Sequence, residues 1–175
     1  MVETKDDAPR SLAGDLMAGD RAIAMVVSRF NDLLTAHMAA SAQDTWTRLG
    51  GRADRLTTAH VPGSLELAVT ARRLAETGQY DAIVCLGCVI RGETDHYDHV
   101  VQQTAEGIRQ VGTLTGVPCI FGVISADTLE QAINRAGAKM GNQGAKAMSA
   151  AIEMANLVKR ISDGATERRS DEGEG

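Results

Sequence analysis

The segment DAIVCLGCVI, residues 81–90, decides the fold, and the polar segment RGETDHYDH, residues 91–99, follows it directly. The first segment is apolar after Asp81, and such a short continuous run is typical of a strand buried on both faces of a parallel sheet. The polar segment contains Gly92 and leads into a helix predicted to reach about Leu114. A buried strand, a polar loop and a helix in this order predict one βα unit of an α/β protein.

The same unit recurs along the chain. Short apolar or β-branched runs predict further strands at residues 21–27, 53–61 and 117–125. The remaining helices are predicted from Asn31 or Asp32, one of which caps the helix, to about Trp46, over 64–78, from Thr128 to Arg135 and from Asn142 to Ile161. Apolar strands that alternate with helices indicate a parallel sheet covered on both faces. We therefore predict an α/β fold, a three-layer, doubly wound parallel sheet of the flavodoxin-like type.

Length and polarity predict a single domain with loose ends. A chain of 175 residues is long enough for one compact domain with a substantial core and short for two. Residues 1–11 and 164–175 are polar, charged and without periodicity, so we expect a flexible N-terminal segment and a disordered charged tail. The predicted domain spans residues 12–163.

The composition argues against several classes of protein. A net charge of −5 gives no large basic field for nucleic acid. No run approaches the roughly 20 apolar residues that a membrane span needs, and the first residues lack the apolar segment of a signal peptide. We therefore expect a cytoplasmic protein that binds neither nucleic acid nor membrane.

Cys85 and Cys88 form a C-x-x-C pattern inside the predicted strand. Residues three apart on a strand point to opposite faces, so a redox pair or a shared metal ion is not easily built. The three cysteines are also an odd number, which argues against a disulfide framework. Both thiols are therefore predicted to be buried and structural.

Three polar segments each follow a predicted strand: SRFN at 28–31, HVPGSLE at 60–66 and RGETDHYDH at 91–99. In open α/β sheets, ligands bind outside the carboxyl ends of the strands, near the point where the strand order reverses. The topology therefore predicts a binding site at this edge of the sheet.

The segment RGETDHYDH offers groups for binding an anion and for proton transfer. The backbone N–H groups of Glu93 and Thr94, at the start of a helix, favour an anion such as phosphate. His96, in the first turn, can donate and accept a proton near neutral pH. This segment alone leaves two other interpretations open: polar surface residues, or a metal site formed by Asp95, His96 and His99.

Residues elsewhere also allow two interpretations each. Phe30 is either a core or cap residue, or a face on which a flat heterocycle stacks. Glu66 either interacts with the positive end of its helix or accepts hydrogen bonds from a polyol. Arg135 and Lys139, four residues apart, are either solvated cations or phosphate ligands on one helical face, if the helix continues that far.

Together these segments resemble the lumazine synthase family. SRFN, VPGSLE, LGCVIRGETDHYDHV, FGVIS and RAGAKMGNQG occur in the family's order, from about Gly14 to Gly144, without an evident insertion. The resemblance implies a transferase of the penultimate step of riboflavin biosynthesis. It would condense 5-amino-6-(D-ribitylamino)uracil with 3,4-dihydroxy-2-butanone 4-phosphate to give 6,7-dimethyl-8-ribityllumazine, phosphate and water, without a metal or other cofactor.

The resemblance also implies a role for individual residues, with His96 transferring protons. The residues implied to contact the ribitylaminouracil are Phe30, Ser64, Leu65, Glu66, Cys88, Val89, Ile90 and Phe121. Those implied to contact the phosphate-bearing butanone are Glu93, Thr94, Arg135 and, as an additional candidate, Lys139. Phe121 and Arg135 would reach in from a neighbouring subunit. Three positions depart from the commonest family pattern: Leu65 replaces a frequent aromatic residue, Cys88 a Thr or Ala, and Gln143 a frequent Lys.

The resemblance further implies a homo-oligomer, with a pentamer as the minimum unit, a sixty-subunit shell in some family members and riboflavin synthase as a candidate partner. Two other functions remain open. One is a catalytically weak homologue that binds flavin or lumazine or serves as a shell protein. The other is an unrelated flavodoxin-like signalling domain, although its acidic pocket would have only Asp32 after the first strand.

Overall fold

A four-stranded parallel sheet forms the centre of the molecule. The computed structural model describes the backbone of residues 11–92 and 96–171 and the side chains of residues 11–92 and 97–164. The strands are β1 (Ile23–Ser28), β2 (Leu56–Val61), β3 (Ala82–Ile90) and β4 (Cys119–Ala126), in the order β2-β1-β3-β4. The helices are α1 (Asp32–Arg48), α2 (Glu66–Glu76), α3 (His96–Thr115), α4 (Leu129–Arg135) and α5 (Gln143–Asp171). These elements confirm the predicted three-layer α/β fold.

Both faces of the sheet are covered, as the continuous apolar pattern of β3 predicts. Val84 and Leu86 pack in one cluster with residues of α1 and α5, whereas Ile83 packs in a second cluster with residues of α2 and α3. All three side chains are fully buried. Alternation along a strand places neighbouring residues in different clusters, so β3 needs apolar side chains on both faces.

The two cysteines of the C-x-x-C pattern lie on opposite faces, as predicted. Cys85 and Cys88 are both buried, in different clusters. The Cys85 Sγ lies 3.8 Å from the Cys119 Sγ on β4, a contact that the pattern did not predict. The interaction with Cys119 and burial both raise the pKa of Cys85, and desolvation raises that of Cys88 to about 11. These two thiols therefore stay protonated near neutral pH.

The ends of two elements differ from the predictions. Strand β2 begins at Leu56, because residues Ala53–Arg55 form a short 3₁₀ helix. Helix α5 continues to Asp171 instead of ending near Ile161, so its backbone extends into the predicted tail. Glu167, Arg168 and Arg169 favour helix without adding to an apolar stripe, which is why periodicity missed the extension. Residues 1–10 and 172–175 lie outside the described residues.

The strand order reverses between β1 and β3. The chain passes from β1 to β2 on one side and then to β3 on the other, which opens a crevice at the carboxyl ends of β1 and β3. Strand β3 pairs with β1 only as far as Leu86 but with β4 as far as Ile90. The last residues of β3 therefore have no strand partner on the side of β1. Among the helices of the described ranges, none has the length and apolar character to cross a membrane.

Candidate active site

The loop after β1 presents Phe30 at the crevice. The backbone N–H of Phe30 donates to the Pro62 carbonyl oxygen at 3.1 Å, which ties this loop to the one after β2. Asn31 has a left-handed backbone (φ 59°), and its Nδ2 donates to the Cys88 carbonyl oxygen at 2.9 Å. Asn31 stands at the N-cap position of α1, but its side chain makes no capping bond, so the predicted side-chain cap is wrong there. The amide instead joins the loop to β3 and leaves the Phe30 ring 67% exposed.

The loop after β2 supplies a second wall. Ser64 is buried, and the Glu66 Oε2 accepts a hydrogen bond of 2.8 Å from the Gly63 N–H. This bond orders the start of α2, which supports the helix-end interpretation of Glu66. A carboxylate has acceptor capacity beyond one hydrogen bond, so Glu66 can also accept from a ligand.

A glycine in β3 allows this second wall to approach the sheet. A Cβ added at Gly87 would lie 2.8 Å from the Ser64 Oγ and 3.2 Å from the Leu67 Cδ1. Real Cβ atoms essentially never come as close as the first distance. A larger residue at position 87 would therefore force the Ser64 side chain to move from its contact with β3.

The two loops and the end of β3 enclose cavity A, with a volume of about 340 Å³. Its lining includes Phe30, Ser64, Leu65, Glu66, Cys88, Val89 and Ile90, together with Gly63, Gly92, Tyr97 and Val100. The volume is within the usual range for a small-molecule site, and the apolar side chains of this lining suit a flat ring. The structure thus brings together all the residues implied to contact the ribitylaminouracil except Phe121. Phe121, 37% exposed on β4, lies outside this lining.

Cavity B, of about 420 Å³, shares Tyr97 with cavity A. Arg135 lines it, together with Tyr97, Ser125, Ala126, Asp127, Gln131, Asn134 and Met140. Helix α4 ends at Arg135, as predicted, so the condition under which Lys139 would share a helical face with Arg135 is not met. A turn intervenes: Ala136 pairs with Asn142 in an isolated bridge, and Gly137 has a positive φ. Lys139 lies in the lining of neither cavity.

A family comparison identifies the chain. The model of the 6,7-dimethyl-8-ribityllumazine synthase family matches residues 20–159. The chain belongs to this family. Membership confirms the resemblance, supports an enzymatic function in riboflavin biosynthesis, and implies small-molecule substrates and an oligomeric assembly.

Two of the departures from the common lumazine synthase pattern line cavity A. Leu65 is exposed at its mouth, and Cys88 is buried with a protonated thiol. Neither change introduces a charge into the cavity. Gln143, the third departure, is the first residue of α5 and lies outside the lining of both cavities.

Sequence reasoning missed an ionic network beside Tyr97. The Arg91 Nε donates to Asp127 at 2.9 Å, and its two terminal nitrogens donate to Asp98 at 3.1 Å each. The guanidinium carbon lies 4.2 Å from the centre of the Tyr97 ring. The hydrogen bonds between Arg91 and Asp98 lower the pKa of Asp98. Together with the hydrogen bond to Asp127, they raise the pKa of Arg91. Tyr97 was detectable in the sequence, since only 3% of the chain is aromatic and Tyr97 stands inside a polar motif.

The remaining site predictions fall on residues that the structure does not describe. Glu93, Thr94 and Asp95 lie outside the described residues, and for His96 only the backbone, at the start of α3, is described. Among the described side chains, no group of three or more His, Cys, Asp or Glu is placed to hold a metal ion. The suggested set of Asp95, His96 and His99 lies mostly outside the described side chains. It stays a prediction.

Proposed function

We propose that this chain is a lumazine synthase that condenses 5-amino-6-(D-ribitylamino)uracil with 3,4-dihydroxy-2-butanone 4-phosphate. The products would be 6,7-dimethyl-8-ribityllumazine, phosphate and water. The observation that carries the proposal is cavity A, in which three separate segments of the family pattern meet at one crevice. Function depends on such a site and not on the fold alone.

Cavity A suits the ribitylaminouracil. The exposed Phe30 ring offers a face for stacking a pyrimidine. The end of β3 lacks a strand partner on the side of β1, so its backbone groups can bind the polar edge of the ring. Glu66 would accept hydrogen bonds from ribityl hydroxyl groups, and Ser64 would contribute a further polar group.

The phosphate-bearing substrate requires a cation. Arg135 is exposed and lines cavity B, and a guanidinium can bind phosphate through two parallel hydrogen bonds. Glu93 and Thr94 would contact the same substrate, and Lys139 remains a candidate ligand. Arg135 and Phe121 both lie outside cavity A of their own chain. We propose that they complete the site of a neighbouring subunit, in an assembly of at least a pentamer.

The proposed reaction needs proton transfer and alignment of the substrates. The aromatic amine attacks the ketone, and loss of water gives an imine. Elimination of phosphate then leaves an enol, and its tautomerisation creates a second carbonyl. The ribitylamino nitrogen attacks this carbonyl, and loss of a second water completes the ring. His96, at the start of α3, would transfer the protons. No electron leaves or enters the substrates, so holding them in register can supply much of the rate.

The test is the formation of both products by the purified chain. Lumazine is followed by its absorbance, and phosphate release is followed in parallel. We expect the two products to appear together, well above the uncatalysed rate. A folded oligomer that gives no acceleration would overturn the proposal, and tight flavin binding by that oligomer would favour the non-catalytic homologue.

A further inference from the structure

We propose that Arg91 is a positioning residue for this reaction: it holds Tyr97, which lines both cavities, and it pairs with Asp98 and with Asp127, whose carboxylate it neutralises in the cavity that Arg135 lines. The inference rests on the proposed function and adds a residue to it. Arg91 lines neither cavity itself, so it would act through its neighbours.

Arg91 can influence both cavities through its contact with Tyr97. Tyr97 is the second residue of α3, directly after His96, and it lines cavity A and cavity B. The guanidinium of Arg91 covers one face of the ring at 4.2 Å. A cation at this distance from an aromatic centre is attracted by the ring. Arg91 therefore contacts and holds a side chain that lines both cavities.

The hydrogen bonds of Arg91 join two elements that carry the site. Asp98 lies in the first turn of α3, and Asp127 directly follows β4. The Arg91 backbone N–H also donates to the Ala126 carbonyl oxygen at 2.9 Å. Arg91 thus fixes the start of α3 relative to the end of β4, which leads into the helix that ends at Arg135.

Charge supplies the second part of the argument. Asp127 and Arg135 line the same cavity, in which the proposed function places a phosphate group. Arg91 pairs with both Asp127 and Asp98. Without Arg91, the Asp127 carboxylate would face an anionic substrate without a cationic partner and would compete with it for Arg135. Like charges at such a site oppose binding.

Fold stability is a poor explanation for this network. Arg91 is 41% exposed, and both carboxylates are 64% exposed. Ion pairs this open to solvent contribute little to stability. A function in the site explains why the Arg91 guanidinium pairs with two carboxylates and also contacts an aromatic ring.

The test compares Arg91→Met with a matched control, Arg109→Met. Arg109 is also exposed and also pairs with an acidic residue, Glu106, but on the same helix α3 and outside both cavities. We expect Arg91→Met to lower kcat/KM about 10- to 100-fold, the size of effect produced by a misplaced group. The rise in KM should be larger for the phosphate-bearing substrate. Arg109→Met should match the wild-type enzyme.

Two further measurements separate positioning from general damage. With 3-fluorotyrosine, the two tyrosines of the chain give two ¹⁹F signals, and Tyr80→Phe assigns them. Arg91→Met should shift the Tyr97 signal and leave the Tyr80 signal in place. The variant R91M/D98N/D127N lacks both the cation and the two carboxylates. It should bind the phosphate-bearing substrate at least about threefold more tightly than Arg91→Met does, as expected for coupled neighbours.

Three results would overturn the inference: kinetics of Arg91→Met equal to those of Arg109→Met, an unchanged Tyr97 signal, or no tighter binding by R91M/D98N/D127N than by Arg91→Met. If the wild-type chain itself forms no lumazine, the proposed function fails instead. The ¹⁹F signal then still decides whether Arg91 holds Tyr97.

Discussion

Cavity A and cavity B share Tyr97 but are built in different ways. Cavity A is assembled from strand ends and loops that a single chain orders through backbone hydrogen bonds, such as the one from Phe30 to Pro62. Cavity B is lined largely by polar and charged side chains, and Arg135 stands exposed at the end of a short helix. The difference indicates that backbone contacts within one chain preform the ring site, whereas cavity B depends on charged side chains, and the proposed function adds a neighbouring copy to the phosphate site.

The largest effect is expected at the start of α3, where the two cavities meet. His96→Ala should lower turnover by about 10- to 1000-fold, in or near the usual range for acid–base groups. His99→Ala, on the same helix and exposed, is the matched control and should keep most of the activity. Rates of lumazine formation check both variants. Equal turnover in His96→Ala and wild type would remove His96 from the mechanism.

Arg135→Met tests cavity B alone. Losing hydrogen bonds to a charged phosphate should raise the KM for the butanone phosphate about 10- to 100-fold. The KM for the ribitylaminouracil should change little, because the contact proposed for Arg135 is with the phosphate group of the other substrate. Lys139→Met is the control and should have a smaller effect, since Lys139 lines neither cavity. Comparable increases for both substrates would show that the two cavities do not bind separate substrates.

Gly87→Ala tests how cavity A is built. The added methyl group would collide with Ser64 and Leu67, so we expect a loss of about 1–3 kcal/mol in the free energy of unfolding. The KM for the ribitylaminouracil should rise as well, because Ser64 lines the cavity. Gly112→Ala, in helix α3, is the control, since its Cβ would make only ordinary contacts with Val117 and Cys119. Denaturant unfolding and steady-state kinetics measure the two effects, and an unperturbed Gly87→Ala would refute the close packing.

Phe30→Ala is expected to have the smallest effect. Removing one stacking face should weaken binding of the ribitylaminouracil about 2- to 10-fold. Leu33→Ala is the control, because Leu33 is 79% exposed on the first turn of α1 and lies outside the cavity lining. Binding is measured by calorimetry with the uracil substrate alone. If the two variants bind this substrate equally, Phe30 does not stack on the ring.

The contrast between the cavities also explains what the sequence could predict. The apolar run of β3 required two buried faces, so the sheet, its helices and the opposite positions of Cys85 and Cys88 followed from local pattern. The parallel topology then placed the loop residues of cavity A at one edge. Family membership confirms the resemblance drawn from the motifs, while the roles of individual residues stay predictions.

Features that depend on contacts between distant residues were missed. Arg91 and Asp127 are 36 positions apart, and no local pattern marks them as partners. Asn31 has the residue type of a helix cap, but its amide bonds to Cys88 on another strand. The turn after Arg135 separates Lys139 from helix α4, so a spacing of four residues does not place these two cations on one helical face. In each case a tertiary contact or a turn decided the local structure.

The most direct test of a site shared between subunits is complementation between two impaired variants, assayed at a butanone phosphate concentration well below the KM of Arg135→Met. We would co-express His96→Ala and Arg135→Met with different tags and purify the mixed oligomers. If His96 of one subunit works with Arg135 of its neighbour, random mixing in equal amounts leaves about a quarter of the sites with both residues intact. The account predicts that lumazine formation recovers to about that fraction of the wild-type rate. Activity no higher than the average of the two parent variants would contradict a site shared between subunits.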